Sequence, residues 1–228
     1  TDWRKAMAFG QPYGIDGVPI DLIRVQLYTE LGDPPTLAAA QILYMPKLEQ
    51  LAALANDEAT RLAAAGSPND AIDVMGDLAF FARSMADREY HEEVLWGLNH
   101  MAAALERVRD IGFVDYQGEK KIDSNRLLTQ IERLRPEGYL DISRLSLPVA
   151  DIAGAVQLVD RIYASGAGLN AEVFAQNMSR LATTDHPLRL FSESAKWQGA
   201  AAGLGDYAGA RLRLDAVVSD WGSRWSLP

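Results

Sequence analysis

Short alanine runs between regularly spaced leucines recur along most of this chain, as in "LAAAQ", "LAALA", "RLAAAG", "MAAAL" and "GAAAG". Alanine loses no side-chain entropy on entering a helix and has the highest helix propensity. Its small side chain also lets helices approach closely. The pattern predicts an all-α chain that is well over half helical, with little strand. The expected architecture is an irregular antiparallel helical bundle or a short α-solenoid-like stack of helical hairpins, because the gaps between helical segments are short. Residues 1–228 read as a single domain with an irregular N-terminal arm over 1–19. Any subdivision is expected near 112–147, where the helical pattern lapses.

The spacing of Leu22, Ile23, Leu27, Tyr28 and Leu31 predicts a helix. A second is expected from Thr36 to about Tyr44, kinked or ended by Pro46. After the next helix, Gly66 reads as the residue just past its end, Ser67 as an N-cap and Pro68 as a first helical residue. From Asn69 to Ile111 the pattern stays helical, with breaks expected at Gly76 and in "SMAD" (84–87), where Ser84 and Asp87 have capping-box spacing. Residues 112–123 read as a loop, Ser124 as the cap of the following helix, and Leu145 and Leu147 alternate as in a strand. Further helices are expected at 149–163, 170–181, 187–202 and 206–220. Gly66 and Gly205 are each expected to close a hairpin with positive φ.

"AAAGSPNDAIDV" (63–74) and "AGLGDYAGARLR" (202–213) both place alanine five residues after a turn glycine. The second resembles the inter-helix turn of a tetratricopeptide repeat, with Gly205, Tyr207 and Ala210 at the matching positions. That resemblance covers only the outer parts of the chain, since the middle shows no period of about 34 residues. It implies stacked helical hairpins that bind protein partners. More generally the chain resembles uncharacterised alanine-rich helical proteins of high-GC bacteria, which implies no activity.

The charge balance narrows the partners. With 31 acids against 22 bases the net charge is −9, and no basic cluster supplies the footprint a phosphate backbone needs. Nucleic acid is therefore not an expected partner. There is no cysteine, which excludes disulfides, thiolate catalysis and cysteine-ligated metals. No apolar run approaches the roughly 20 residues of a membrane span. A soluble protein is expected, either cytoplasmic or, after removal of an N-terminal segment, periplasmic.

One stretch invites a chemical reading. "ADREYHEEVLWGLNH" (86–100) holds four carboxylates and two histidines. On a helix His91 and His100 point apart and lie about 13 Å from each other along the axis, so they do not share an ion. Glu89 and Glu93 form an i,i+4 carboxylate pair, the expectation being that both are solvated. Asp87 sits one turn before His91, which makes the two a weak candidate for an acid–base pair; a capping or structural Asp87 is the plainer reading. Tyr90, Val94, Leu98, Met101, Leu105 and Val108 form the apolar stripe that should bury this helix, with Leu98 at its centre. No phosphate loop, nucleophile elbow or dinucleotide fingerprint is present. Trp221 and Trp225, four apart, are candidates for an aromatic grip on a partner. The expected role is a non-enzymatic scaffold or protein- or peptide-binding domain with an acidic surface that favours cationic partners, needing no cofactor and no metal. The alternatives are an enzyme using the Asp/His/Glu cluster of the 87–100 helix and a helical binder of a small molecule.

Overall fold

The computed structural model describes residues 13–32, 35–134, 147–163, 168–183, 190–201 and 203–225; 74% of them are helical. In chain order the helices are α1 (Ile20–Arg24), α2 (Met45–Ala64), α3 (Pro68–Met85), α4 (His91–Gln117), α5 (Ser124–Leu134), α6 (Val149–Ile162), α7 (Ala171–Thr183), α8 (Leu190–Ala201) and α9 (Tyr207–Trp225). The other regular elements among the described residues are a 3-10 turn at Leu37–Ala39 and two short strands, β1 (Thr29–Glu30) and β2 (Gln41–Ile42). These strands pair antiparallel, Thr29 opposite Ile42. The chain is all-α, as its alanine content requires. The expectations placed on the first twelve residues, on Leu145 and on the start of the 187–202 helix lie outside the described residues.

The chain divides into two compact units, one built on Tyr44–Ser146 and the other on Pro12–Leu43 with Leu147–Leu227. In the first unit α3 is the central helix, packed against α2, α4 and α5. Small residues are buried along it and just past its end: Ala71, Ala79, Ala82 and the following Ala86 are fully buried. Gly97 on α4 meets the last two of them. A Cβ at Gly97 would lie 2.4 Å from the Ala86 nitrogen and 2.5 Å from the Ala82 carbonyl, so the two backbones nearly touch there. Large side chains fill the flanks, where Phe81 and Trp96 pack edge to face with centroids 5.9 Å apart. On the opposite flank α5 is held by charge. Arg126 pairs with Asp70 at 2.8 Å and also with Asp73. Gln130 donates to Asp73 at 2.8 Å and Arg133 to Asp77 at 2.6 Å. The aspartates are spaced three and four apart on one face of α3, which is why a single helix can answer all of them.

The α2–α3 hairpin closes as the sequence predicts. Gly66 has φ +79°, its N–H donates to the Ala63 carbonyl, and that of Ser67 donates to Leu62, both at 3.0 Å. This is the paired bonding of a Schellman motif. Pro68 is the first helical residue, but the Ser67 hydroxyl makes no capping bond. Alanine in the left-handed region is strained, so Gly66→Ala is expected to lower stability by about 1 kcal/mol, read as a fall in the urea midpoint at unchanged slope.

Several predicted boundaries move. The helix expected over 22–31 ends after Arg24, because Gln26 turns left-handed (φ +59°) and Leu27 N–H bonds back to Leu22 at 2.8 Å. The residues expected as helix 36–44 instead form the 3-10 turn and β2, and Pro46 lies in the first turn of α2, where a proline costs no hydrogen bond. Gly76 breaks nothing. It lies inside α3 where the Gln130 side chain crosses. The break falls at 86–90, and the predicted loop from 112 is helical to Gln117.

The second unit has its own apolar cluster. Ile162, Tyr163, Phe174 and Ala201 are buried, with Leu158, Met178 and Trp197 packed against them. Asn170 caps α7, its side-chain oxygen accepting the N–H groups of Glu172 and Val173 at 3.1 Å. Tyr163 donates to the Gly205 carbonyl at 2.9 Å and Tyr207 to Asp160 at 2.8 Å, with the two rings 5.9 Å apart. Gly205 is not among the positive-φ glycines of the described residues. The left-handed strain expected of an alanine there is therefore absent.

Candidate functional site

The carboxylate-rich stretch is not a solvated face at its key position. Glu93, expected in water, is completely buried, whereas Leu98, expected at the centre of the core stripe, is half-buried. Glu93 is the third residue of α4, and its Oε2 reaches back to accept the Tyr90 N–H at 3.2 Å, the reach-back half of a capping box. Its Oε1 accepts the Arg88 Nε at 2.8 Å and the Tyr44 hydroxyl. The Arg88 guanidinium also approaches the Tyr44 oxygen at 3.4 Å. A charged carboxylate survives burial only when paired and hydrogen-bonded, and here one residue at the start of α2, one in the 86–90 turn and one backbone amide meet that requirement. The cluster ties α2, the turn and α4 together.

Burial holds the Tyr44 phenol well above its ordinary pKa; the nearby Glu93 carboxylate raises it further, and Arg88 offsets part of this. A raised pKa means that the folded state keeps a proton the unfolded state gives up. The stabilisation is complete below the unfolded tyrosine pKa of about 10 and declines as pH rises beyond it. Stability is expected to fall above that pH by up to about 1.4 kcal/mol per pH unit from this one group. Tyr44→Phe should remove that share of the slope, measured by urea unfolding at a series of alkaline pH values.

The remaining candidates take separate places. Asp87 lies in the turn before α4 and pairs with the buried Arg83, one helical turn earlier, at 2.7 Å. His91 is the first residue of α4 and Glu89 is exposed. His100 lies on Glu49 at 3.2 Å and stacks on Trp96 at 4.3 Å. Among the described residues no group of three or more histidines, aspartates and glutamates could hold a metal ion. The helix expected to end at 220 runs on to Trp225, so Trp221 and Trp225 belong to α9, Trp221 exposed and Trp225 half-buried.

The feature with the shape of a binding site lies at the other end of the first unit. Thr60, Ala63 and Ala64 on α2, Gly66 and Pro68 at the hairpin, and the last three turns of α4 enclose an open groove of about 430 Å³. That is within the range of about 300–1,000 Å³ typical of ligand pockets. Its walls are Ala63, Ala64, Pro68, Ile111 and Val114, and Val114 is 70% exposed at the mouth. Arg107 closes one end, donating to the Thr60 hydroxyl at 2.6 Å. The turn at 118–121 closes the other and is fixed from two sides. The Asp115 carboxylate accepts the N–H groups of Lys121 and Ile122 at 2.9 Å. The Asn69 amide donates to the Lys121 carbonyl at 3.0 Å and accepts from the Asp123 N–H at 2.8 Å. The groove is thus preformed by side chain-to-backbone bonds rather than left to a loop. Sequence reasoning missed it, because its two walls are more than forty residues apart. The visible signal was Asn69 and Asp115, polar residues near helix ends with turn-forming side chains.

No protein-family model, curated protein or solved structure matches this chain. No helix among the described residues is long and apolar enough to cross a membrane. The functional reading therefore rests on the groove and the buried cluster alone.

Proposed function

We propose that this chain is a non-enzymatic helical binding module that takes a segment of a protein or peptide partner. The observation that carries the reading is the preformed groove of α2, α3 and α4, an apolar cleft open to solvent, with Ala64 and Val114 exposed along it and Pro68 and Ile111 buried in it. The enzymatic alternative has less support. Glu93 is spent on Arg88, Tyr44 and a backbone amide, and Asp87 on Arg83, so these acids serve the fold. The net charge of −9 steers partners with a basic exterior toward the molecule by long-range attraction, while the groove supplies the contact.

The test is site-specific photo-crosslinking inside the cells that make the protein. A photoreactive side chain at Val114 should give a discrete partner adduct. The same side chain at Leu128, exposed on α5 and outside the groove, should give none. Filling the groove with Ala63→Trp should suppress the Val114 adduct. An adduct that persists in Ala63→Trp, or none from Val114, contradicts the reading.

A further inference from the structure

The groove has a shape and a charge that together select one kind of occupant. It runs along α4 from Arg107 to Gly118, about 16 Å at the helical rise of ~1.5 Å per residue. The long wall is three turns of α4 and the facing wall is the last turn of α2; most of their backbone groups are bonded within the helices or by the turns that close them, which leaves an incoming chain few donors or acceptors. An extended peptide would leave its own amides and carbonyls unpaired against the apolar walls, at a cost for each. An α-helix brings its backbone bonds already made. The α2 wall is made of Ala63 and Ala64, small residues that leave room for another helix to come close.

The charges around the groove add a second constraint. Glu119 is paired with Lys121, and Asp110 with Arg109 at 3.1 Å. Both oxygens of Asp115 take backbone N–H groups. Arg107 differs. Its partner is the neutral Thr60 hydroxyl, and no carboxylate among the described residues forms an ion pair with it. A guanidinium next to apolar walls has donors to spare and favours a carboxylate from the occupant.

The geometry points to an amphipathic partner helix of about three turns, with an apolar stripe that fills the groove and an acidic side chain that meets Arg107. This specifies the binding reading given above and rests on it. The mode is helix-in-groove recognition with anchors at i, i+3 or i+4, and i+7. A partner helix basic on its outer face and acidic only at this point would fit both the overall charge of the chain and the local charge of the groove.

The experiment is a selection on the full chain with a displayed library of helical peptides of about twelve residues, matched to the groove length and randomised on one face. Enriched sequences should carry an apolar stripe and an aspartate or glutamate at one recurring position. Against Arg107→Glu, the acid-bearing peptides should lose roughly tenfold in affinity, as an attraction becomes a repulsion, and a fresh selection should enrich lysine or arginine at that position. Arg107→Lys should retain binding. Ala63→Trp should abolish it, with circular dichroism and thermal unfolding used to confirm that each variant is folded. Peptides with an apolar stripe that Ala63→Trp rejects, but that show no acid and no response to Arg107→Glu, would overturn the inference and leave the groove standing. No enrichment at all, or peptides that still bind Ala63→Trp, would overturn both.

Discussion

Replacing Glu93 by alanine is expected to cost about 3–5 kcal/mol, the range for removing one partner of a buried ion pair. The loss has three sources. Arg88, whose side chain is only 15% exposed, keeps its charge without its carboxylate. The Tyr44 hydroxyl loses its acceptor, and the Tyr90 N–H at the start of α4 loses the bond that helps to cap the helix. Leu98→Ala should cost less than about 2 kcal/mol, because a half-buried leucine has less surface to return to water. That order is the reverse of the one the apolar stripe suggests. Urea unfolding of the two variants decides it. A near-neutral Glu93→Ala would mean that the carboxylate is solvated and the cluster does not hold the turn. Replacing Tyr44, Arg88 and Glu93 together by Phe, Met and Leu should recover much of the loss, since an apolar set of similar volume leaves no polar side chain of the cluster without its partner, and only the bond from the Tyr90 N–H stays lost.

The second large effect is expected at Gly97. An added Cβ would collide with backbone atoms of α3, at 2.4 Å and 2.5 Å, and backbone has no rotamer to escape into. Helices α3 and α4 would have to move apart at Ala82 and Ala86, where small side chains now let the backbones nearly touch. Gly97→Ala is expected to cost about 3 kcal/mol, the upper part of the range for overpacked cores. The same helix provides its own control. Gly112 is in α4 with no atom within 4 Å of its missing Cβ, so Gly112→Ala should stabilise by up to about 1 kcal/mol through helix propensity. Equal effects at the two positions would mean that the close approach of α3 and α4 is not real.

The helices were legible because their cause is local. Alanine runs and the i, i+3, i+4 spacing of leucines decide helix formation without reference to the rest of the chain. The Gly66–Ser67–Pro68 hairpin was legible for the same reason. What escaped was set by distant partners. The end of α1 at Gln26 is a left-handed turn made without glycine, so no residue announces it. The burial of Glu93 depends on Tyr44, which is 49 positions away, and a charged side chain beside an apolar stripe carries no mark of its partner. Its spacing of three from the N-cap Tyr90 was the one local clue. Gly97 likewise gains its meaning from Ala82 and Ala86 across the α3–α4 contact. The groove was least legible of all, because its floor and walls come from three helices and its shape from a turn held by Asn69 and Asp115.

On the proposed function the carboxylate-rich turn serves stability and the α2–α4 groove serves binding, and one measurement separates these roles. Amide chemical-shift mapping of the full chain, titrated with a helical peptide selected as above, reports where an occupant sits. Shifts are expected to concentrate at 60–68 and 107–121, with 86–93 unmoved. Shifts centred on Asp87, Glu89, His91 and Glu93, with the groove unperturbed, would contradict the proposed function.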